Sequence, residues 1–417
     1  MEGVKGVMRV CKTRQILVAW AGTSLLSLAL LGCSCGDGDG GGDAFTIVTS
    51  VSVDGGIGEA DEPRGIALDE DGNLYATGYV TPVAANKDIW LARYDSNLIL
   101  QGSLTLDGSA HDEDVGYAIA LDGSGYVYVV GYMSETGEGR NIWLAKYDTD
   151  LVPQRQITVN GSASDIDEGY GIIFDGAGHL YVAGTLTETG QGYNIWIAKY
   201  DTDLNLLKSI ILNGPANGTD KGRFLALDGA GSLFVSGSVT QPTSGYDIWL
   251  GKFDTDLNPV AEKVVAGPVA GAEDKGYGIL FDGSGTLYVT GTLTEPGEGY
   301  NIWLAKYDTD LNLLDSITLN GPVDGEDTAY SISPDGGGNL YQTGVYTEAA
   351  GGSNIWVARY TTGLALQSYT TVNGAADGYD TGLGIIRGRG QDLYVSASIN
   401  ELTGGVNIWL ARYKVWP

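Results

Sequence analysis

The chain has 417 residues, a formal net charge of −29, 43% apolar and 18% charged residues, and 65 glycines. That is enough apolar material for a core, too few charges for a disordered polyelectrolyte, and too acidic a body for nucleic acid or anionic lipid headgroups to be expected partners. The three cysteines are Cys11, Cys33 and Cys35, so the rest of the chain has no disulfide framework and must be held by packing.

In chain order, the first segment reads as targeting sequence. Lys5, Arg9, Lys12 and Arg14 form a basic stretch ahead of a largely apolar run from Ile16 to Leu31. A membrane span needs about 20 apolar residues, so this run is short for a span and suits a signal peptide. It ends in Leu30-Leu31-Gly32-Cys33, which resembles a bacterial lipobox, and the resemblance implies that Cys33 becomes the lipidated N-terminus. The expected organisation is a leader over 1–32, a flexible Gly/Asp tether over 33–44 and one domain over 45–417.

From Phe45 onward the chain repeats. Ile-Trp recurs with tryptophans at 90, 143, 196, 249, 303, 356 and 409, a spacing of 53 residues with a single 54. A fixed period near fifty points to a propeller or a solenoid. The unit from Gly169 to Gly214 holds four short apolar runs, Tyr170–Phe174, Leu180–Leu186, Ile195–Tyr200 and Leu207–Leu212, here called strands a, b, c and d. Asp175-Gly176-Ala177-Gly178 supplies a hairpin turn between a and b, and Asp201-Thr202-Asp203-Leu204-Asn205 one between c and d. Four strands without helical periodicity make an antiparallel meander, the blade of a β-propeller; a parallel β-helix is the alternative. Seven strands of each type exist only if Thr46–Val53 is counted as a d strand, so the first strand is expected to pair with 408–413 and complete the last blade. The fold class is therefore all-β, a seven-bladed propeller closed by its N-terminal strand, with no open edge left to template aggregation.

The unit D-x-G-x-L-Y-V-x-G…I-W-L-A-K-Y-D…N-G…D-x-G-Y-G-I resembles the bacterial seven-bladed (SBBP-type) β-propeller repeat over nearly everything after the tether. The resemblance implies fold and brings no catalytic motif with it. Local departures are Arg387-Gly388-Arg389-Gly390, which replaces the Asp-Gly turn of the last unit, and Ser331-Ile332-Ser333-Pro334 in strand a of the sixth.

In a meander the a–b and c–d turns share one end, and the b–c and d–a loops the other. The first pair is monotonous and the second varies (SETGEGRN, TETGQGYN, TQPTSGYD), so recognition is expected on the b–c/d–a face. Candidate ligand contacts there are Tyr193, Tyr246 and Tyr300, which end three b–c loops and are expected to be exposed. To these are added Tyr117, Tyr170, Tyr277, Tyr330, Arg64 and Arg223 at the start of strand a near the channel. Tyrosines offer flat apolar area with a polar tip, suited to sugar rings or partner proteins; for the strand-a set the competing reading is a channel plug. The seven tryptophans are expected in the inter-blade core.

Asp61, Asp114, Asp167, Asp220, Asp274, Asp327 and Asp380 each precede strand a and form a ring at the channel mouth. Their expected role is structural, each capping N–H groups two residues on as an Asx-turn; the alternative is a cation or polyol site. Arg93, Lys146, Lys199, Lys252, Lys306, Arg359 and Arg412 follow the tryptophans by three and share a level with the a–b hairpin aspartates Asp69, Asp122, Asp175, Asp228, Asp282 and Asp335. Ion pairs between the two sets are expected. Asp201-x-Asp203-x-Asn205 starts like a calcium loop but lacks the glycine and glutamate that complete one. His111 and His179 are the only histidines, too few for a His-based metal site or a His–nucleophile pair. No catalytic residue, metal or cofactor is expected. The expectation is a monomeric, non-catalytic lipoprotein of the cell envelope, at the outer membrane or surface, that touches the membrane only through its anchor and binds an envelope protein or glycan. The alternative is a propeller hydrolase or lyase using acids at the channel mouth.

Overall fold

The computed structural model describes residues 44–416 except 57–58, 83–85, 164, 244, 350–351, 377 and 403–404, together with the two-residue strand Ala29–Leu30. Among the described residues every regular element is a β-strand, and no helix is long and apolar enough to cross a membrane. Six blades are consecutive antiparallel meanders. Blade 3 is typical, with a at Glu168–Phe174, b at His179–Glu188, c at Gly192–Asp201 and d at Leu206–Leu212. The other a strands are Glu62–Leu68, Val115–Leu121, Lys221–Leu227, Lys275–Phe281, Thr328–Pro334 and Thr381–Arg387. Each a strand lies beside those of both neighbouring blades, and Thr381–Arg387 lies beside Glu62–Leu68, so the a strands line the axis and the ring is closed.

Closure follows the expected split. Blade 7 takes a, b and c from the C-terminal end, and its d strand is Phe45–Val53, paired antiparallel with Gly405–Val415 from Phe45 opposite Val415 to Val53 opposite Ile408. Ala29–Leu30 pairs with Ser52 and Val51 at the outer edge of that blade. Cys33, the tether and the rest of the leader lie outside the described residues.

Blade-to-blade packing forms the core. The cluster between blades 2 and 3 joins Tyr128, Val130 and Leu144 to Leu180, Val182, Trp196 and Leu204, and both faces of the inner strands are buried, which is why they read as continuous apolar runs. All seven repeat tryptophans are at most 6% exposed. The c–d turns hold Leu98, Leu151, Leu204, Leu257, Leu311 and Leu364 at φ between 55 and 63°. A left-handed L-residue costs about 1–2 kcal/mol, and each of these leucines is buried in an inter-blade cluster. Burial of a leucine contributes about 1.5–3 kcal/mol, so packing outweighs the strain.

The basic residues of strand c lie at the a–b/c–d end, as expected, but with different partners. Lys146 Nζ reaches Asp203 (3.1 Å), Arg93 reaches Asp150 (2.9 Å) and Lys252 reaches Asp310 (3.3 Å), each in the c–d turn of the following blade. The strand-b tyrosines reinforce the same latch: Tyr75, Tyr128, Tyr181 and Tyr288 donate to the carbonyls of Thr149, Thr202, Thr255 and Thr362. Sequence variation at the turn explains the exceptions. Blade 6 has Gly363 in place of the aspartate, and Lys306 turns instead to Asp315 of its own blade (3.8 Å). Blade 1 has Asn97, and Arg412 uses its Oδ1, the Ser96 carbonyl and Asp392. The a–b aspartates are already engaged by their own hairpins; Asp175 accepts from Ala177 N and His179 N.

Candidate functional site

The third residue of each a strand points to the axis and forms one layer of the channel: Arg64, Tyr117, Tyr170, Arg223, Tyr277, Tyr330 and Leu383. The side chains stack in sequence around the ring. Arg64 lies over Tyr117 (5.7 Å), Tyr117 meets Tyr170 edge-on (5.0 Å), Arg223 lies between Tyr170 (5.2 Å) and Tyr277 (5.0 Å), and Tyr277 meets Tyr330 (4.8 Å). The six predicted channel residues are thus brought together, and they narrow the channel by packing on one another. Tyr170 is 6% exposed, so the plug and the candidate surface are the same layer seen from two sides. A cavity of about 230 Å³ opens beside it, lined by Arg64, Glu62, Tyr330, Tyr379 and Leu383 among others.

Above this layer lie the first residues of strand a and of strand c. Tyr193, Tyr246 and Tyr300 are half-buried, a correction to the exposed loop positions expected. The b–c connections are short turns between long strands, and the start of strand c also pairs in parallel with the following d–a segment, Tyr193 with Thr219, Tyr246 with Glu273 and Tyr300 with Glu326. The Tyr193 carbonyl accepts from Asp220 N (2.8 Å) and the Tyr300 carbonyl from Asp327 N (2.9 Å). The tyrosines therefore stand on a stitched backbone rather than on free loops, so less order has to be created on binding.

The aspartate ring is buried, each member at most 1% exposed, and its partners are not the ones expected. Asp167 accepts from Gly161 N (2.5 Å), six residues back in the d–a loop, and from Thr187 N (2.6 Å), twenty residues on at the end of strand b. The other six aspartates make the same two-armed clamp. The glycine arm is needed because a Cβ on Gly161 would lie 2.1 Å from the Thr187 carbonyl oxygen. Burial outweighs the two N–H groups and pushes Asp61 and Asp114 up to about 6.

Residues 40–79 match the SBBP β-propeller repeat. The chain is an SBBP-type β-propeller. Among solved structures, the crystal structure of a polysaccharide lyase, Uly1, aligns over 86% of this chain and 91% of its own at 12% identity, with a TM-score of 0.49. No curated protein matches the sequence.

The mouth of this SBBP-type propeller carries a charge network that the tyrosine pattern did not reveal. Lys87 and Arg140 share Glu113, Arg140 also reaches Glu168 (3.0 Å), Tyr170 donates to Glu168, and Lys221 Nζ donates to the Tyr170 hydroxyl (2.8 Å). Burial and the adjacent Arg223 lower Lys221 from its ordinary 10.5 to about 8. The signal was present in the sequence as Lys221-Gly222-Arg223, where blade 3 has Glu168-Gly169-Tyr170. Among the described residues one carboxylate group converges closely enough to hold a cation, Asp88, Asp107 and Asp114, with ligand atoms within 4.8 Å of one another. Other blades of the propeller carry asparagine at most of the positions equivalent to Asp88 and Asp107. Asp114 is already clamped and Asp107 is held by His111 (2.6 Å).

Proposed function

We propose that this SBBP-type propeller is a non-catalytic recognition module that binds a glycan or protein through its b–c/d–a face. We place it on the bacterial cell envelope, anchored by lipid at Cys33, as a monomer. The observation that carries the reading is the layered mouth: an axial ring of tyrosine and arginine, with Tyr193, Tyr246 and Tyr300 half-exposed above it on strand starts that are hydrogen-bonded in place. Flat rings on a rigid backbone bind with little loss of side-chain freedom. The rival reading, hydrolysis or elimination by the ring aspartates, needs a carboxylate with room for substrate. These carboxylates are buried and spend their oxygens on backbone N–H groups.

A glycan array combined with pull-down from envelope extracts tests the proposal, comparing the wild type with Tyr193→Ala/Tyr246→Ala/Tyr300→Ala. Binding is expected to fall at least tenfold in the triple variant. Unchanged binding would place the site elsewhere, and turnover of a bound glycan, abolished by Asp→Asn at 167, 220 and 274, would overturn the non-catalytic reading.

A further inference from the structure

The cations of the mouth are unevenly provided with partners. Arg64 has Glu62 (2.6 Å), Lys275 has Glu273 (2.5 Å), Lys87 has Glu113 (2.9 Å), and Arg140 has both Glu113 and Glu168. Blade 4 differs. Lys221 and Arg223 lie two residues apart on strand a, with Arg223 at its β-bulge, and both cations lie over the Tyr170 ring, at 5.1 and 5.2 Å; among the described residues neither forms an ion pair. Lys221 is held only by the Tyr170 hydroxyl. Arg223 has a buried Nε with no hydrogen-bond partner, and its guanidinium is flanked by the Tyr170 and Tyr277 rings. Among these mouth cations, Lys221 and Arg223 are the two that touch no carboxylate. The nearest one, Glu168, is spent on Arg140 and Tyr170.

We infer that the blade 4 side of the channel mouth is an anion subsite, in which Lys221 and Arg223 take the carboxylate or sulfate group of an acidic sugar residue whose ring lies against the mouth tyrosines. The inference rests on the reading that this face binds glycans, and adds the charge of the ligand. Charge-assisted hydrogen bonds from a guanidinium and an ammonium suit either anion. An anion there screens the repulsion between the two cations, which is the repulsion that helps lower Lys221. The aromatic rings flanking the cations favour a ring-shaped ligand over an extended acidic peptide. The depressed lysine also sets a pH signature: affinity is expected to fall as pH rises past about 8, where Lys221 gives up its charge.

The test is titration calorimetry on the full chain in detergent with four probes: tetragalacturonate, its methyl ester, a sulfated galactan tetrasaccharide and tetraglutamate. The expected result is that at least one anionic glycan binds tenfold or more tighter than the uncharged ester, with affinity falling from pH 7 to pH 9. The carboxylate and sulfate arms report which anion the site prefers. In Lys221→Gln/Arg223→Gln the preference for the anion is expected to vanish. Arg223→Lys is expected to keep it, and thermal melts of both variants show that the fold is intact. Equal binding of acid and ester by the wild type, or a preference that survives the double substitution, overturns the subsite and leaves the glycan reading standing. Tetraglutamate binding more tightly than either acidic glycan overturns the assignment to a sugar. Absence of binding to all three glycans overturns both the subsite and the glycan reading.

Discussion

Removing one arm-bearing aspartate tests how the mouth is built. Asp220 is buried, and its carboxylate accepts from Gly214 N and from Thr240 N (2.7 Å). It thereby ties the d–a loop to the end of strand b within the blade that carries Lys221 and Arg223. Asp220→Ala leaves two buried backbone donors without an acceptor, at about 1–3 kcal/mol each. Part of that is returned because a carboxylate no longer has to be buried; its pKa is raised by burial, which shows that the charged form is disfavoured there. The expected loss is about 2–4 kcal/mol. Asp220→Asn keeps one acceptor and turns an NH₂ toward the second donor, so it is expected to recover little. The control is Asp203→Ala, which removes the exposed partner of Lys146 and, as a surface pair, is expected to cost under about 1 kcal/mol. Urea unfolding measures the difference in midpoint, and amide hydrogen exchange at Gly214 and Thr240 reports the clamp itself. An Asp220→Ala variant that unfolds within error of the wild type, or two amides that exchange no faster, would show that the clamp does not hold the mouth.

Two further expectations rest on the fold and a third on the sequence around Cys33. Deleting 44–54 strips the outer strand from blade 7 and exposes the edge of Gly405–Val415, so size-exclusion chromatography is expected to show aggregates; a stable monomer would contradict closure by this strand. Asp61 and Asp114 have folded pKa values of about 6 against an ordinary 3.8. Because the folded state holds these protons more tightly, their contribution is fully present below 3.8 and lost as pH rises through 6; the melting temperature is expected to be higher at pH 5 than at pH 7.5, and a lower value would contradict it. Cys33→Ala is expected to move the protein from the detergent phase to the soluble fraction, and unchanged partitioning would remove the lipid anchor from the account.

Blade number, strand order and ring closure were legible because duplication left the tryptophan period almost intact and because strand counting forces Thr46–Val53 into the last blade. The partners of repeated polar residues were not legible, for a physical reason. A repeat states that Lys146, Lys199 and Lys252 share a level, but the latch is made to the next blade's turn, and repeats identical in sequence cannot distinguish an intra-blade partner from an inter-blade one. The aspartate clamp spans six residues back and twenty on, so no local turn rule describes it; the glycine at its near arm is visible in the sequence only as the N-G of the repeat unit. The half-burial of the tyrosines at 193, 246 and 300 is not legible in the sequence, since parallel pairing between strand c and the d–a segment has no signature in alternation or turn chemistry. Lys221 has no counterpart in the tyrosine pattern, because the change of charge from Glu168 falls two positions before the axial residue.

The proposed function assigns recognition to one end of the propeller, which oriented immobilisation can distinguish from the other. A bioorthogonal handle at Asp203, in the c–d turn, fixes the protein by its monotonous end, and one at Pro242, in a b–c turn, fixes it by the other. Envelope glycans and proteins are then passed over both surfaces. Capture by the Asp203-tethered protein is expected at the level of randomly coupled protein, with at least a tenfold loss for the Pro242-tethered form; loss at Asp203 with capture retained at Pro242 would move recognition to the opposite end.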